Sequence, residues 1–136
     1  MKAKILILSS LIYNKVNNYL DYADIFVDED DYKEVYGFIV EKLKAGQPIN
    51  VSSLYSIFEI SQDSVWDKVI NYNFPNDEVF SSYFNDSTKR LRIALLKSKK
   101  ETYKSQLPKI TNNEEIYSIM AKIKELDELI KKLTTL

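Results

Sequence analysis

Apolar residues recur along this chain at helical spacing. The first apolar stretch, residues 3–13, is hydrophobic on nearly all sides, which predicts a helix at the centre of the core. A weaker pattern predicts a second helix over residues 16–22. The clearest helix follows the acidic cluster 28–31, whose carboxylates can cap free amide groups. It closes at Gly46, and Pro48 prevents its continuation.

Shorter signals then mark further helices. Asn50 can cap one short helix, and Ser61 or Asp63 can begin another. From Asp77 onward a helical pattern continues with few breakers until Pro108. This is long for one globular helix, so we expect a kink near residues 85–87 or near Ser98.

The last helix has agreeing signals at both ends and a regular apolar stripe between them. Residues 111–113 can cap it, acidic residues 114–115 lie in its first turn, and lysines 131–132 lie in its last turn. Its apolar residues alternate by three and four positions, as in a coiled coil: Ile116, Ile119, Ile123, Leu126, Ile130 and Leu133. The preceding segment offers apolar partners: Leu95, Leu96, Tyr103 and Leu107. The two segments, joined at Pro108, are therefore predicted to form a helical hairpin.

Composition agrees with a helical fold and removes several kinds of chemistry. Only two Gly and three Pro occur, too few for the turns of a β-sandwich or barrel. We therefore expect an all-α fold: a helical bundle over residues 1–98 and a C-terminal helical hairpin over residues 99–136, joined through a long helix. The chain has no His and no Cys, which excludes imidazole proton transfer, thiol nucleophiles and disulfides.

No sequence motif indicates catalysis or cofactor binding. The acidic cluster 28–31 departs from the EF-hand calcium loop, because Lys33 stands where Gly is required. Gly37 and Gly46 are isolated, so they form no phosphate-binding loop. We expect a non-catalytic chain with no cofactor and no metal site. The apolar run 5–13 is too short to span a bilayer, which favours a cytoplasmic protein that does not associate with membranes.

Charge is distributed unevenly along the chain. Residues 1–88 carry a net charge of −7 and residues 89–136 a net charge of +6. On a continuous helix, part of the basic segment shares an arc of about 100°: Lys89, Arg90, Lys97, Lys100 and Lys104. This basic strip is a candidate for phosphate binding, but no aromatic residues accompany it for base stacking. We expect nucleic acid to bind weakly at most, and a DNA-binding adaptor is an alternative function.

The last helix carries apolar residues beyond its seam: Tyr117, Met120, Leu129 and Leu136. They either pack on the rest of the chain or form an exposed docking face. Four such side chains supply at most about 6–12 kcal/mol of transfer free energy, whereas association costs roughly 4–15 kcal/mol. Firm attachment would therefore need more surface or a target with several copies. The predicted partner-binding residues are Tyr117, Met120, Ile123, Lys124 and Asp127.

Several segments match a known family in order and spacing. They are the apolar helix 5–13, the segment 24–39 with Phe26, Tyr32 and Tyr36, the turn 45–50, the segment 83–86 and the terminal helix 112–133. In this order they resemble the C-terminal helicase-binding domain of bacterial DNA primase of the DnaG type, over essentially the whole chain.

This resemblance implies a protein–protein interaction module of a primase, the RNA polymerase that makes primers in DNA replication. The bundle would be related in fold to the N-terminal domain of the replicative helicase and would modulate helicase and primase activity. The hairpin would dock on the N-terminal domains of the hexameric helicase. No small-molecule substrate is implied, and we expect the chain alone to be monomeric. The alternatives are a helicase N-terminal domain, which would lack the strongly patterned hairpin, and a small carboxylate-based enzyme.

Overall fold

A computed structural model describes residues 2–135 of the chain. Six α-helices account for most of these residues: α1 (Lys2–Ile12), α2 (Asp31–Lys44), α3 (Val51–Ile57), α4 (Val65–Ile70), α5 (Asp77–Gln106) and α6 (Asn113–Thr134). Short 3₁₀ turns lie at Tyr19–Tyr22 and Leu107–Lys109, and no strand occurs within residues 2–135. The predicted all-α fold is therefore confirmed.

The chain divides into two compact units, Met1–Asn85 and Asp86–Leu136, and the division falls within α5. The expected boundary after residue 98 lies inside the second of these units. Helix α6 has 22 residues, so the antiparallel arm that pairs with it needs a similar length. The first arm of the hairpin therefore begins near residue 86 and not after residue 98.

Side-chain caps begin the helices where the sequence predicts them. Asp30 accepts a hydrogen bond from the backbone N–H of Lys33, and Asn50 accepts one from Ser52. Asn112 caps α6 in the same way. Helix α4 differs from expectation, because its cap is Ser64 and neither Ser61 nor Asp63.

The predicted helix over residues 16–22 is wrong, because this segment forms a single 3₁₀ turn at Tyr19–Tyr22. The side chain of Asn18 donates to the Asp21 carboxylate and accepts a hydrogen bond from the Tyr22 hydroxyl. Local side-chain hydrogen bonds of this kind offer the chain an alternative to a regular helix.

Helix α1 is the centre of the first unit. Every residue from Lys4 to Ile12 is buried, and α2 and α4 both pack on this helix. A helix that is apolar on nearly all sides needs neighbours on more than one side, as the sequence predicts.

Two hydroxyl groups hold the end of α4 to this central helix. The Ser9 hydroxyl donates to the carbonyl oxygen of Val69 at 2.9 Å, and the Tyr13 hydroxyl donates to that of Ile70 at 2.5 Å. Carbonyl groups in the last turn of a helix have no partner within the helix. The side chains of Ser9 on α1 and of Tyr13 just after α1 therefore complete the C-terminus of α4.

A lysine lies buried at the start of α1. The Lys4 side chain is only 4% exposed, and its Nζ lies 4.0 Å from Oδ2 of Asp30. The same ammonium lies 5.9 Å from the ring centroid of Phe26 and 5.4 Å from that of Tyr32. The carboxylate that caps α2 and two aromatic rings therefore stabilise this buried charge.

The second unit is a helical hairpin. Lys100 forms an ion pair with Asp127 across the two arms, and the Lys122 ammonium lies 5.5 Å from the ring centroid of Tyr103. All six predicted seam residues of α6 are buried or half-buried, with Leu126 the most buried. The predicted hairpin and its apolar seam are confirmed.

A last observation on the fold concerns the hydropathy of its helices. Within residues 2–135, no helix combines the length and the apolar character needed to cross a membrane.

Candidate functional site

The residues predicted to bind a partner lie on one side of α6. At about 100° per residue, positions 117, 120, 123, 124 and 127 fall within an arc of roughly 120°. Asn112 fixes the start of the helix, and the apolar seam fixes which side turns toward the other arm. The outward side is thereby set by the same pattern that forms the hairpin.

Tyr117 and Met120 are the prominent apolar side chains of this arc. Tyr117 is 71% exposed and Met120 is 53% exposed, so neither is covered by the chain itself. Lys124 beside them is exposed, whereas Ile123 is half-buried at the edge of the seam. These residues form what we call the outer face of α6: Tyr117, Met120, Ile123 and Lys124.

The remaining surplus apolar residues do not extend this face. Leu129 is exposed, but helical geometry places it about 120° from Tyr117 around the axis of α6. Leu136 lies outside the described residues. The exposed apolar side chains of the outer face are therefore Tyr117 and Met120.

Asp127 forms an ion pair within the hairpin that the sequence does not predict. It pairs with Lys100 of the other arm, and the two side chains are 51% and 22% exposed. The structure thus joins a predicted partner-binding residue to a residue of the predicted basic strip. Both side chains help to hold the two arms of the hairpin together.

The predicted basic strip is largely compensated by nearby acids. Besides the Lys100–Asp127 pair, Arg90 lies 3.1 Å from Asp86. Lys104 lies 3.8 Å from Glu101. Lys97 is exposed, and Lys89 is half-buried. Carboxylates beside the cations weaken the case for a phosphate-binding surface.

Other titratable groups belong to the scaffold. Burial raises the pKa of the Tyr36 hydroxyl, and the nearby carboxylates of Asp24 and Asp21 raise it further. Burial likewise raises the pKa of Tyr13 and of Tyr72. Among residues 2–135, no group of three or more His, Cys, Asp or Glu side chains is placed to hold a metal ion.

Sequence reasoning missed the polar contacts between the arms. Lys122 covers Tyr103, and Lys100, a residue of the predicted basic strip, pairs with Asp127. The two contacts align the arms about position 113, at the start of α6, and not about Pro108. The predicted hairpin implies that the two arms meet, but the position of Pro108 in the sequence does not give this register.

Searches against protein-family models, curated proteins and solved structures find no match for this chain. The class that the geometry defines is an all-α chain in which a helical bundle is followed by a helical hairpin with an exposed outer face. The functional argument therefore depends on the residues of this face.

Proposed function

We propose that this chain is the helicase-binding module of a bacterial DNA primase. In this role the outer face of α6 docks on the N-terminal domains of the hexameric replicative helicase and brings primase to the replication fork. The chain itself is non-catalytic and needs no cofactor, and it acts in the cytoplasm. The family resemblance described above suggests the partner.

The observation that carries the proposal is the exposure of Tyr117 and Met120 on a helix that is otherwise well patterned. The seam residues of α6 are buried or half-buried, but these two large apolar side chains project into solvent. Exposed aromatic and Met side chains are enriched at protein interfaces. Their position on a rigid helix favours a docking function.

Energetics favour a multimeric target. Burying Tyr117 and Met120 supplies about 3–6 kcal/mol together, which offsets at most the lower end of the roughly 4–15 kcal/mol cost of association. A single hairpin therefore binds weakly unless flanking residues contribute. A ring of helicase domains raises the effective concentration of binding sites and strengthens attachment without new contacts.

The experiment mixes the chain with the hexameric replicative helicase of the source organism and follows the complex by gel filtration. Replacement of Tyr117 and Met120 by Ala removes the apolar part of the outer face while keeping residues that favour a helix. We expect this double variant to lose co-elution with the helicase. Circular dichroism should show unchanged helical content.

A matched control removes exposed apolar side chains elsewhere. Tyr55 and Leu129 are both about half exposed, and neither lies on the outer face. Their replacement by Ala should leave co-elution intact. Equal behaviour of the two double variants would refute the assignment of the outer face, and absence of any complex with the unaltered chain would refute the proposed function.

A further inference from the structure

The outward side of α6 carries a stripe of residues that is complementary to itself when its direction is reversed. The stripe, which we call the α6 stripe, consists of Glu114, Tyr117, Ala121 and Lys124. These positions follow one another by three, four and three residues, which is the spacing of contact positions in coiled coils. At about 100° per residue they fall within an arc of roughly 80°, opposite the seam of α6. All four residues are exposed, so the chain itself does not cover the stripe.

Two copies of the stripe match when they run antiparallel and cross at the level of Ile119. Glu114 and Lys124 lie at equal distances from this level, about 7.5 Å along the helix axis, so the carboxylate of one copy meets the ammonium of the other. Tyr117 and Ala121 are likewise equidistant from it, so the large ring of one copy packs on the small side chain of the other. Parallel copies would instead place equal charges side by side. The stripe therefore favours one orientation.

The other acidic residues of this part of α6 limit the strength of the match. Asp127 already forms an ion pair with the other arm of the hairpin. Glu128 lies one turn after Lys124 on the same helix and partly compensates its charge. Glu125 flanks the stripe, and in the antiparallel arrangement it lies at the level of Glu114 of the second copy, where it opposes the attraction. The charges thus set the orientation and add little affinity.

From this match we infer that the α6 stripe pairs with the α6 stripe of a second copy of this chain, antiparallel and around a two-fold axis. Each contact of such a symmetric interface occurs twice. Met120 lies beside the middle of the stripe, where it would meet Met120 of the second copy. Interfaces of this small size are weak, and we expect a dissociation constant on the order of 1 mM. The chain is then monomeric when dilute, as expected from the sequence, and dimeric when concentrated.

Pairing covers the side chains that the proposed function assigns to helicase docking. Tyr117 and Met120 lie in the interface between the two copies, so one α6 cannot pair and dock at the same time. The inference does not rest on the proposed function, because pairing requires this chain alone.

The test follows self-association of the full chain by sedimentation equilibrium, at concentrations from roughly 0.02 to 2 mM. The unaltered chain should show a reversible equilibrium between monomer and dimer. Glu114→Lys and Lys124→Glu each set like charges against each other, so each variant alone should associate about fivefold more weakly than the unaltered chain. An equimolar mixture of the two variants brings opposite charges together and should associate on the order of tenfold more tightly than either alone.

A matched control makes the same charge changes outside the stripe. Glu115 also lies in the first turn of α6 and Lys132 lies in its last turn, and both are exposed. Glu115→Lys, Lys132→Glu and their mixture should each associate within about twofold of the unaltered chain. If the control mixture gains as much as the stripe mixture, the inference is overturned, because overall charge would then drive association.

Two further variants test the arrangement of charges. Glu114→Lys/Lys124→Glu in one chain reverses both charges of the stripe and should associate at least as tightly as the unaltered chain. Glu125→Gln removes the opposing carboxylate and should strengthen pairing about twofold. An unaltered chain that stays monomeric throughout the concentration range would overturn the inference. Single stripe variants that associate as tightly as the unaltered chain would overturn it as well.

Helicase binding separates this inference from the proposed function. If the chain pairs through the stripe but does not bind the hexameric helicase, the inference stands and the proposed function fails. If the chain binds the helicase through Tyr117 and Met120 but never pairs, the proposed function stands and the inference is overturned. If both occur, excess helicase should dissociate the dimer, and a dimer that persists on the helicase would overturn the shared surface.

Discussion

Ser9 donates a hydrogen bond across sixty sequence positions to the carbonyl oxygen of Val69, at 2.9 Å. The Ser9 side chain is fully buried, and Val69 is buried at the end of α4. Removing the donor leaves a buried carbonyl group without this partner, which costs about 1–3 kcal/mol. Ser9→Ala should therefore lower the free energy of unfolding by that amount in urea denaturation.

Ser10 is the matched control for this experiment. It is equally buried, but its hydroxyl donates to Leu6 within the same helix, at 2.6 Å. That carbonyl already lies inside the regular hydrogen bonding of α1, so Ser10→Ala should cost less than Ser9→Ala. Equal losses of unfolding free energy for the two variants would show that the hydrogen bond between α1 and α4 stabilises the chain no more than the one within α1.

Asp30 is predicted to stabilise the bundle in two separable ways, as the cap of α2 and as the partner of Lys4. Asp30→Ala removes both contributions, and the loss of the cap alone costs about 0.5–2 kcal/mol. Asp30→Asn keeps the cap and removes the charge, so it should cost less. Thermal unfolding of both variants measures the difference.

Lys4→Met provides the control for the charge contribution. In this background the buried ammonium is gone, and Asp30→Asn should become nearly neutral. A cost that persists unchanged in the Lys4→Met background would show that the two side chains do not stabilise each other.

Alkaline pH should destabilise the first unit through Tyr36. Burial and nearby carboxylates raise the pKa of this tyrosine above 10.0 in the folded chain. Above pH 10 the unfolded chain loses the proton more readily than the folded chain, so stability falls as the pH rises from the unfolded pKa through the folded one. Below pH 10 this stabilisation is fully present.

The measurement compares the unaltered chain with Tyr36→Phe in urea at a series of pH values. Near neutral pH the variant should be less stable by about 0.5–1.5 kcal/mol, because it loses the hydrogen bond to the carbonyl of Tyr19. The stability difference should shrink above pH 10. A constant difference across that range would contradict the assignment to Tyr36.

Thr88 is predicted to be a position where the chain can be stabilised. Its side chain is buried, and its hydroxyl has no hydrogen-bond partner within residues 2–135. Thr88→Val removes the hydroxyl and keeps the shape, so the free energy of unfolding should rise by about 1 kcal/mol. Thr88→Ser keeps the hydroxyl and removes a methyl group, and it should lower stability. A more stable Ser variant would refute this explanation.

Local signals in the sequence predicted the starts of three helices, α2, α3 and α6. Asn50 and Asn112 cap helices as expected, because a cap depends on a few neighbouring residues. The acidic cluster 28–31 predicted the start of α2 for the same reason. These features need no information from distant parts of the chain.

Contacts between distant residues were not predictable in the same way. The sequence gives no indication that Ser9 and Tyr13 complete the end of α4, or that Lys4 is buried beside the cap of α2. In the candidate site, helical periodicity placed Tyr117 outside the apolar seam but left open whether its side chain is covered or exposed. The pairing of Asp127 with Lys100 depends on the hairpin register, which periodicity alone does not set.

The completion of α4 by α1 has a consequence for biosynthesis. A helix of six residues is too short to persist alone, so α4 needs α1 already in place. Helix α1 leaves the ribosome before α4, so its apolar surface lacks this partner while the intervening segments are translated. Transient exposure of apolar surface of this kind favours aggregation of the nascent chain.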